Sequence, residues 1–144
     1  MDWTQTKNVA EANLDTIVGK ASNPKVALTA LEKKITAEVD KVEAHLTALD
    51  GRVNALPGLL DEADRQVAKV DAIVAKAKAD GRADLVAAAG QKRAKTLQER
   101  AVLEAELNGI DGAMTEADEW LSKLQDKLVE VQTRIDRTPG AIND

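Results

Sequence analysis

The chain has 144 residues with two Trp, no Phe and no Tyr, so a thick globular core would have little to fill it. With 31% charged residues and a bias to Ala, Glu, Lys, Leu and Arg, it has the composition of long helices that bury a narrow stripe, and strands are not expected. A net charge of −5 argues against dedicated nucleic-acid binding, and the absence of Cys removes disulfides, thiolate metal sites and Cys nucleophiles, in keeping with a reducing compartment.

Residues 1–22 read as one short amphipathic helix. Trp3, Ala10, Leu14, Ile17 and Val18 fall roughly on one face, and Lys7, Glu11 and Asp15 mostly on the other. That pattern suits an interfacial helix with its Trp at the lipid headgroups, and it equally suits a helix docked on the rest of the chain. The segment lacks the Lys/Arg excess of an anionic-membrane binder. No secretory signal is visible, and the apolar runs are far shorter than the roughly 20 residues that a spanning helix needs, so any membrane contact is expected at the surface.

Ser22-Asn23-Pro24 separates this segment from a hairpin expected over 23–137. Asn23 can cap a helix through its side chain, and Pro24 in the first helical position lacks only a donor that would have had no partner. In the first arm, 24–79, apolar residues fall at Leu28, Leu31, Ile35, Val39, Val42, Leu46, Leu49, Val53, Leu56, Leu60, Ala63, Val67, Val70, Val74 and Ala77. Spacings of three and four alternate except for a second four from Ile35 to Val39, which reads as a coiled-coil seam with one stutter. Pro57-Gly58 is expected to kink this arm.

The turn is expected at 80–82, where Gly81 can take the left-handed conformation that ends a helix and Asp84 suits the next first turn. In the second arm, 83–137, the seam runs through Leu103, Leu107, Ile110, Met114, Ala117, Leu121, Leu124, Leu128, Val131 and Ile135. It stops at Thr138-Pro139-Gly140, and 138–144 read as a tail.

If the chain reverses at residue 81, facing residues have numbers that sum to about 163, and the two seams meet that condition. Ile35 faces Leu128, Val39 faces Leu124, Val42 faces Leu121, Leu49 faces Met114, Val53 faces Ile110, Leu56 faces Leu107, and Leu60 faces Leu103. Each arm, at 1.5 Å per residue, would be roughly 80 Å long. The fold class expected is therefore all-α, a long antiparallel coiled-coil hairpin behind a short amphipathic helix. Gly51 opposite Gly112 marks a level where both arms would bend or thin. The rival is a folded-back four-helix bundle with turns near Pro57, Gly81 and Gly109, which needs breaks where the apolar period keeps its phase.

Toward the turn the pattern weakens, because Ala63, Val67 and Val70 would face Arg100, Thr96 and Arg93, while Ala94, Leu97 and Ala101 form a separate apolar face. Between Arg65 and Arg100 nine Lys/Arg stand against four Asp/Glu, a local +5 that leaves −10 on the remainder. The tip is thus basic, with Lys76, Lys78, Arg82, Lys92 and Arg93, and it reads either as a docking surface or as a frayed hairpin end. No catalytic constellation is visible. His45 is the single His and lies in a polar flank of the first arm, Glu116, Asp118 and Glu119 read as a solvated face, and Trp120 packs beside the seam or meets a partner. No phosphate loop or nucleophile turn is present, so neither an enzyme nor a cofactor or metal site is expected.

Two motifs carry a resemblance. Asn13-Leu14-Asp15-Thr16-Ile17-Val18-Gly19-Lys20-Ala21-Ser22-Asn23-Pro24 resembles the junction between N-terminal helix and hairpin in phage shock protein A and the vesicle-inducing protein of plastids. Ala79-Asp80-Gly81-Arg82-Ala83-Asp84-Leu85-Val86-Ala87-Ala88-Ala89 is similar to that family's Ala-rich, charged tip. The interval between the motifs matches without gaps, and the similarity extends to about Arg134.

The resemblance implies membership of the bacterial branch of the ESCRT-III superfamily, whose members polymerise on stressed inner membranes and remodel or protect them. By position, Trp3 and the apolar face through Val18 would enter an anionic membrane surface, and the hairpin would pack laterally against other copies. Some members also restrain an AAA+ transcriptional activator through the hairpin, so a soluble regulator is the second implied role. The implied location is cytoplasmic, peripheral on the inner membrane. The sequence stops where the family's subunit-bridging C-terminal helices begin, which leaves open a short form of the hairpin region or assembly by hairpin contacts alone. The basic tip and acidic base suggest a staggered or head-to-tail contact weakened by salt.

Overall fold

A computed structural model describes residues 1–139. The chain forms α1 (Thr4–Ala10), α2 (Leu14–Lys20), α3 (Pro24–Ala79) and α4 (Ala83–Arg137), with no strand among the described residues. The long helices α3 and α4 pack against each other as a hairpin and are joined through residues 80–82. Residues 1–22 differ from expectation, because two seven-residue helices replace the single one. The Asn13 side chain accepts a hydrogen bond from the Thr16 N–H at 3.0 Å, so α2 starts afresh there instead of continuing α1.

Local chemistry sets the ends of the long helices. Asn23 accepts from the Val26 N–H at 3.3 Å and Pro24 opens α3. At the other end Gly81 has φ +68°, with the Gly81 N–H bonded to the Lys78 carbonyl at 3.2 Å and the Arg82 N–H to the Ala77 carbonyl at 2.9 Å. This pair of crossed bonds is the Schellman arrangement, which satisfies two of the last carbonyls of α3. The Arg82 carbonyl then accepts from Leu85 and Val86 at 3.1 Å each and starts α4.

Two compact units divide the chain, one made of Met1–Ala48 with the stretch from Met114 onward, the other of Leu49–Ala113. In the first, Leu28, Ile35, Val42, Ala117, Leu124 and Val131 are fully enclosed. The second buries Leu56, Ala63, Val70, Ala77, Ala89 and Ile110. The other seam residues named from sequence, Val39, Leu49, Val53, Leu60, Leu103, Leu107, Met114, Leu121 and Leu128, are half-buried and none is exposed.

The expected stutter is absent. Leu28 lies seven residues before Ile35 and shares its stripe, with half-buried Glu32 in the intervening seam position. Leu31 instead belongs to a flanking stripe and is covered by the N-terminal helices. Nor does Pro57 break α3, which runs through it. Pro57 is exposed, so the Val53 carbonyl that loses its usual partner lies toward water, while fully buried Leu56 holds the phase beside it. With α4 also continuous through Gly109, the four-helix bundle is excluded. Gly51, Gly58, Gly109 and Gly112 each have open space where a Cβ would project, so no close approach of the arms requires them.

The unit that contains the turn is ordered by ion pairs where apolar partners run out. Arg93 and Arg100 occupy half-buried positions in line with the seam of α4 and extend sideways, Arg93 to Asp71 at 2.7 Å and Arg100 to Asp64 at 2.6 Å and Glu104 at 2.9 Å. A bidentate Arg52–Glu106 pair, 2.7 Å on both arms, links the same two helices. Half-buried beside the seam, these arginines combine an aliphatic stem with a guanidinium that pairs with a carboxylate across the two helices. The separate face of Ala94, Leu97 and Ala101 is exposed. Of the expected tail, Thr138 bonds back to Ile135 and Arg134, and residues 140–144 lie outside the described residues.

Candidate functional site

The N-terminal segment docks in a groove beside the seam. Its floor is formed by two stripes with a seven-residue repeat, Leu31, Glu38 and His45 on α3 and Trp120, Lys127 and Arg134 on α4. Each of these six lies three residues after a seam position and is buried or half-buried. A helix pair with one apolar seam usually keeps such flanking positions wet, so their burial records a third packing partner.

Trp3 begins the contact. Its ring stacks on Trp120 with centroids 6.3 Å apart and planes at 24°, and meets His45 edge-on at 5.7 Å and 74°. Lys123 places its Nζ 4.7 Å from the Trp120 ring centroid, so the indole is enclosed by an aromatic partner and a cation. One helical turn on, the Thr6 hydroxyl donates to Glu38 Oε2 at 3.1 Å, and Lys41 donates to Glu38 Oε1 at 3.3 Å. Glu38 is only 4% exposed, so these two donors answer for a carboxylate that α1 has removed from water.

Val9, Ala10 and Leu14 are buried in the same cluster as Leu28, Leu31 and Ile35, with Trp3, Ile17 and Val18 partly buried against it. Where the chain breaks between α1 and α2, Lys127 donates to the Ala12 carbonyl at 2.9 Å and also meets Glu130 at 3.0 Å. The ammonium thus satisfies a backbone carbonyl of the linker between α1 and α2. Arg134 pairs with Asp15 at 3.0 Å to close the row. Asp2 accepts from the Thr4 hydroxyl and N–H at 2.7 and 2.9 Å, and the hydroxyl bond above all holds its carboxyl below the ordinary range.

All five residues assigned to membrane contact from sequence, Trp3, Ala10, Leu14, Ile17 and Val18, therefore face the hairpin in this structure. Between the two readings left open by periodicity, the docked helix is the one observed. The break at 11–13 divides the segment into α1 and α2, and both place apolar residues against the hairpin.

The basic tip is less uniform than its composition suggested. Arg93 is engaged by Asp71, and Arg82 pairs with Asp84 at 3.2 Å, a contact that lowers the Asp84 pKa through the Arg82 hydrogen bond first. Lys76, Lys78 and Lys92 are exposed. Ile73 and Leu85 stand out in the same unit at 51% and 42% exposure, so it presents apolar and cationic side chains together.

His45 serves as an aromatic neighbour of Trp3, and Trp120 as the platform beneath it, roles that periodicity along the seam alone did not reveal. The recurrence at 31/38/45 and 120/127/134 is the signal that could have found the groove. It is obscured because Glu, His, Lys and Arg occupy four of its six positions. Glu116, Asp118 and Glu119 face solvent, and no three His, Asp or Glu side chains gather as metal ligands among the described residues. No helix among them is long and apolar enough to cross a membrane.

No curated protein matches the chain. A family model described as conserved hypothetical protein CHP04376 matches residues 5–142, which takes in most of the docked segment, both arms of the hairpin and the turn. With nearly its whole length accounted for by that one model, the chain belongs to the conserved hypothetical protein CHP04376 family.

Proposed function

We propose that this protein is a non-catalytic scaffold of membrane surfaces, of the kind its two motifs resemble. It assembles through its coiled-coil hairpin and protects or remodels an inner membrane under stress. The observation that carries this reading is the division of its apolar side chains into two sets. One set closes the α3–α4 seam. The other, Trp3, Val9, Ala10, Leu14, Ile17 and Val18, lies on the N-terminal segment outside that seam, where it packs against the hairpin groove, and a lipid interface is the alternative apolar environment for it. The uneven charge, +5 between residues 65 and 100 against −10 elsewhere, supports staggered contacts between copies.

Flotation with phosphatidylglycerol-containing vesicles tests the lipid half of the proposal. The intact chain is expected to float and the chain lacking residues 1–22 to stay at the bottom; equal behaviour of the two removes the membrane role. Electron micrographs of the same mixtures test the assembly half through rings, rods or deformed vesicles.

A second reading, a soluble regulator whose hairpin binds a protein such as an AAA+ activator, draws support from the exposed Ile73, Leu85, Lys76, Lys78 and Lys92. It requires partner binding that survives deletion of residues 1–22 and fails when Ile73 and Leu85 are replaced by Asp.

A further inference from the structure

The side chains assigned to lipid are the ones the hairpin groove covers, and this overlap has a thermodynamic consequence. Trp3 cannot lie at a headgroup boundary while stacked on Trp120, nor can Val9, Ala10 and Leu14 meet acyl chains while enclosed with Leu28 and Leu31. We infer that docking and lipid engagement exclude each other, so that the groove formed by α3 and α4 acts as a built-in competitor that holds down the protein's membrane affinity. The inference rests on the membrane reading proposed above and adds its regulation.

Three features make the docked segment releasable. First, α1 and α2 have seven residues each, well below the length at which a helix persists alone in water, so their folding depends on a surface, either the groove or a lipid interface. Second, the groove is only partly apolar. Its polar contacts, Thr6 to Glu38, Lys127 to the Ala12 carbonyl and Arg134 to Asp15, all have water as a substitute partner once the segment leaves. Glu38 in particular regains hydration on release, which offsets part of the lost packing. Third, Ala21 has extended backbone and Ser22 and Asn23 lie outside both helices, so the segment can swing without unwinding α3, whose start is fixed by Asn23 and Pro24.

Mass action then sets the size of the effect: apparent lipid affinity is the intrinsic affinity multiplied by the undocked fraction. Weakening the groove raises membrane binding although the altered residues never touch lipid. This is opposite in sign to what a lipid-contacting residue would show.

The test uses the full chain and phosphatidylglycerol/phosphatidylethanolamine vesicles. Trp120→Ala and Lys127→Ala change only the hairpin side and leave the enclosed residues Ala117, Leu124 and Val131 in place. Each is expected to raise apparent affinity, by roughly tenfold for Trp120→Ala, with faster amide exchange over residues 4–20. The reverse arm exploits the absence of native Cys: Thr6→Cys with Glu38→Cys, joined by a short thiol crosslinker, locks the segment down. The bridged protein is expected to lose flotation that its unbridged form retains. If the bridged form floats as well as the unbridged one, or if exchange quickens in the Ala variants without a gain in binding, the competition does not exist and the membrane reading stands alone. If neither wild type nor any unbridged variant floats, the membrane reading fails and takes the inference with it.

Discussion

Single residues in this chain divide into those that conformation requires and those that it merely tolerates. Gly81 is required, because its φ of +68° lies where a side chain crowds the following carbonyl. Gly112 is tolerated, since it sits inside α4 with nothing near the position of an added Cβ. The two glycines should therefore respond oppositely to alanine. Gly81→Ala is expected to lower stability by about 1–2 kcal/mol. Gly112→Ala is expected to raise it by about 1 kcal/mol. Urea titrations followed by circular dichroism measure both, and a destabilising Gly112→Ala would mean that the space beside it is filled in solution. Gly81 was legible in sequence because its neighbours Asp80 and Arg82 interrupt two long periodic stretches. The roles of His45 and Trp120 were not, since both depend on a Trp more than forty residues away in the chain.

At the scale of the elements, two helices of 56 and 55 residues persist through a Pro and several Gly because about every turn contributes a side chain to the seam. A proline in mid-helix costs about 3 kcal/mol. Full burial of one leucine such as Leu56 returns about 1.5–3 kcal/mol, so neighbouring seam residues outweigh the lost bond. Polar links between the arms add a dependence on pH. The Arg52 hydrogen bonds, ahead of its charge, hold the Glu106 carboxyl below its ordinary range, and the same contact raises the Arg52 pKa. Glu106 thus binds its proton more weakly in the folded chain than in the unfolded one. Its contribution is complete above the unfolded pKa and is lost as pH falls through the folded value. Stability measured against pH for the wild type and Glu106→Gln should show a gap at neutrality that closes as pH falls through and below the ordinary glutamate range. A gap that stays constant over that interval would assign the loss to packing and not to charge. The seam itself was readable from spacing, whereas the apparent stutter at Ile35 to Val39 arose from counting Leu31 among the seam residues when it belongs to the flank.

For the molecule as a whole, the hairpin is the framework and the N-terminal segment is an addition to it. Removing residues 1–22 is expected to leave α3 and α4 helical, because the enclosed pairs of seam residues remain, while it exposes Leu31, Glu38 and Trp120 and lowers the melting temperature. Loss of most of the helical signal in that variant would show instead that α1 and α2 are integral to the fold. The amino-acid sequence by itself determined the reversal at residue 81, the two seams and the absence of strands, because each rests on local dihedral preference or on a period repeated over many turns. Which way residues 1–22 face was decided only by tertiary structure. A seven-residue helix has too few turns to declare a period, and the groove that receives it is built in part of charged side chains whose burial makes sense only once the helices that cover them are in place.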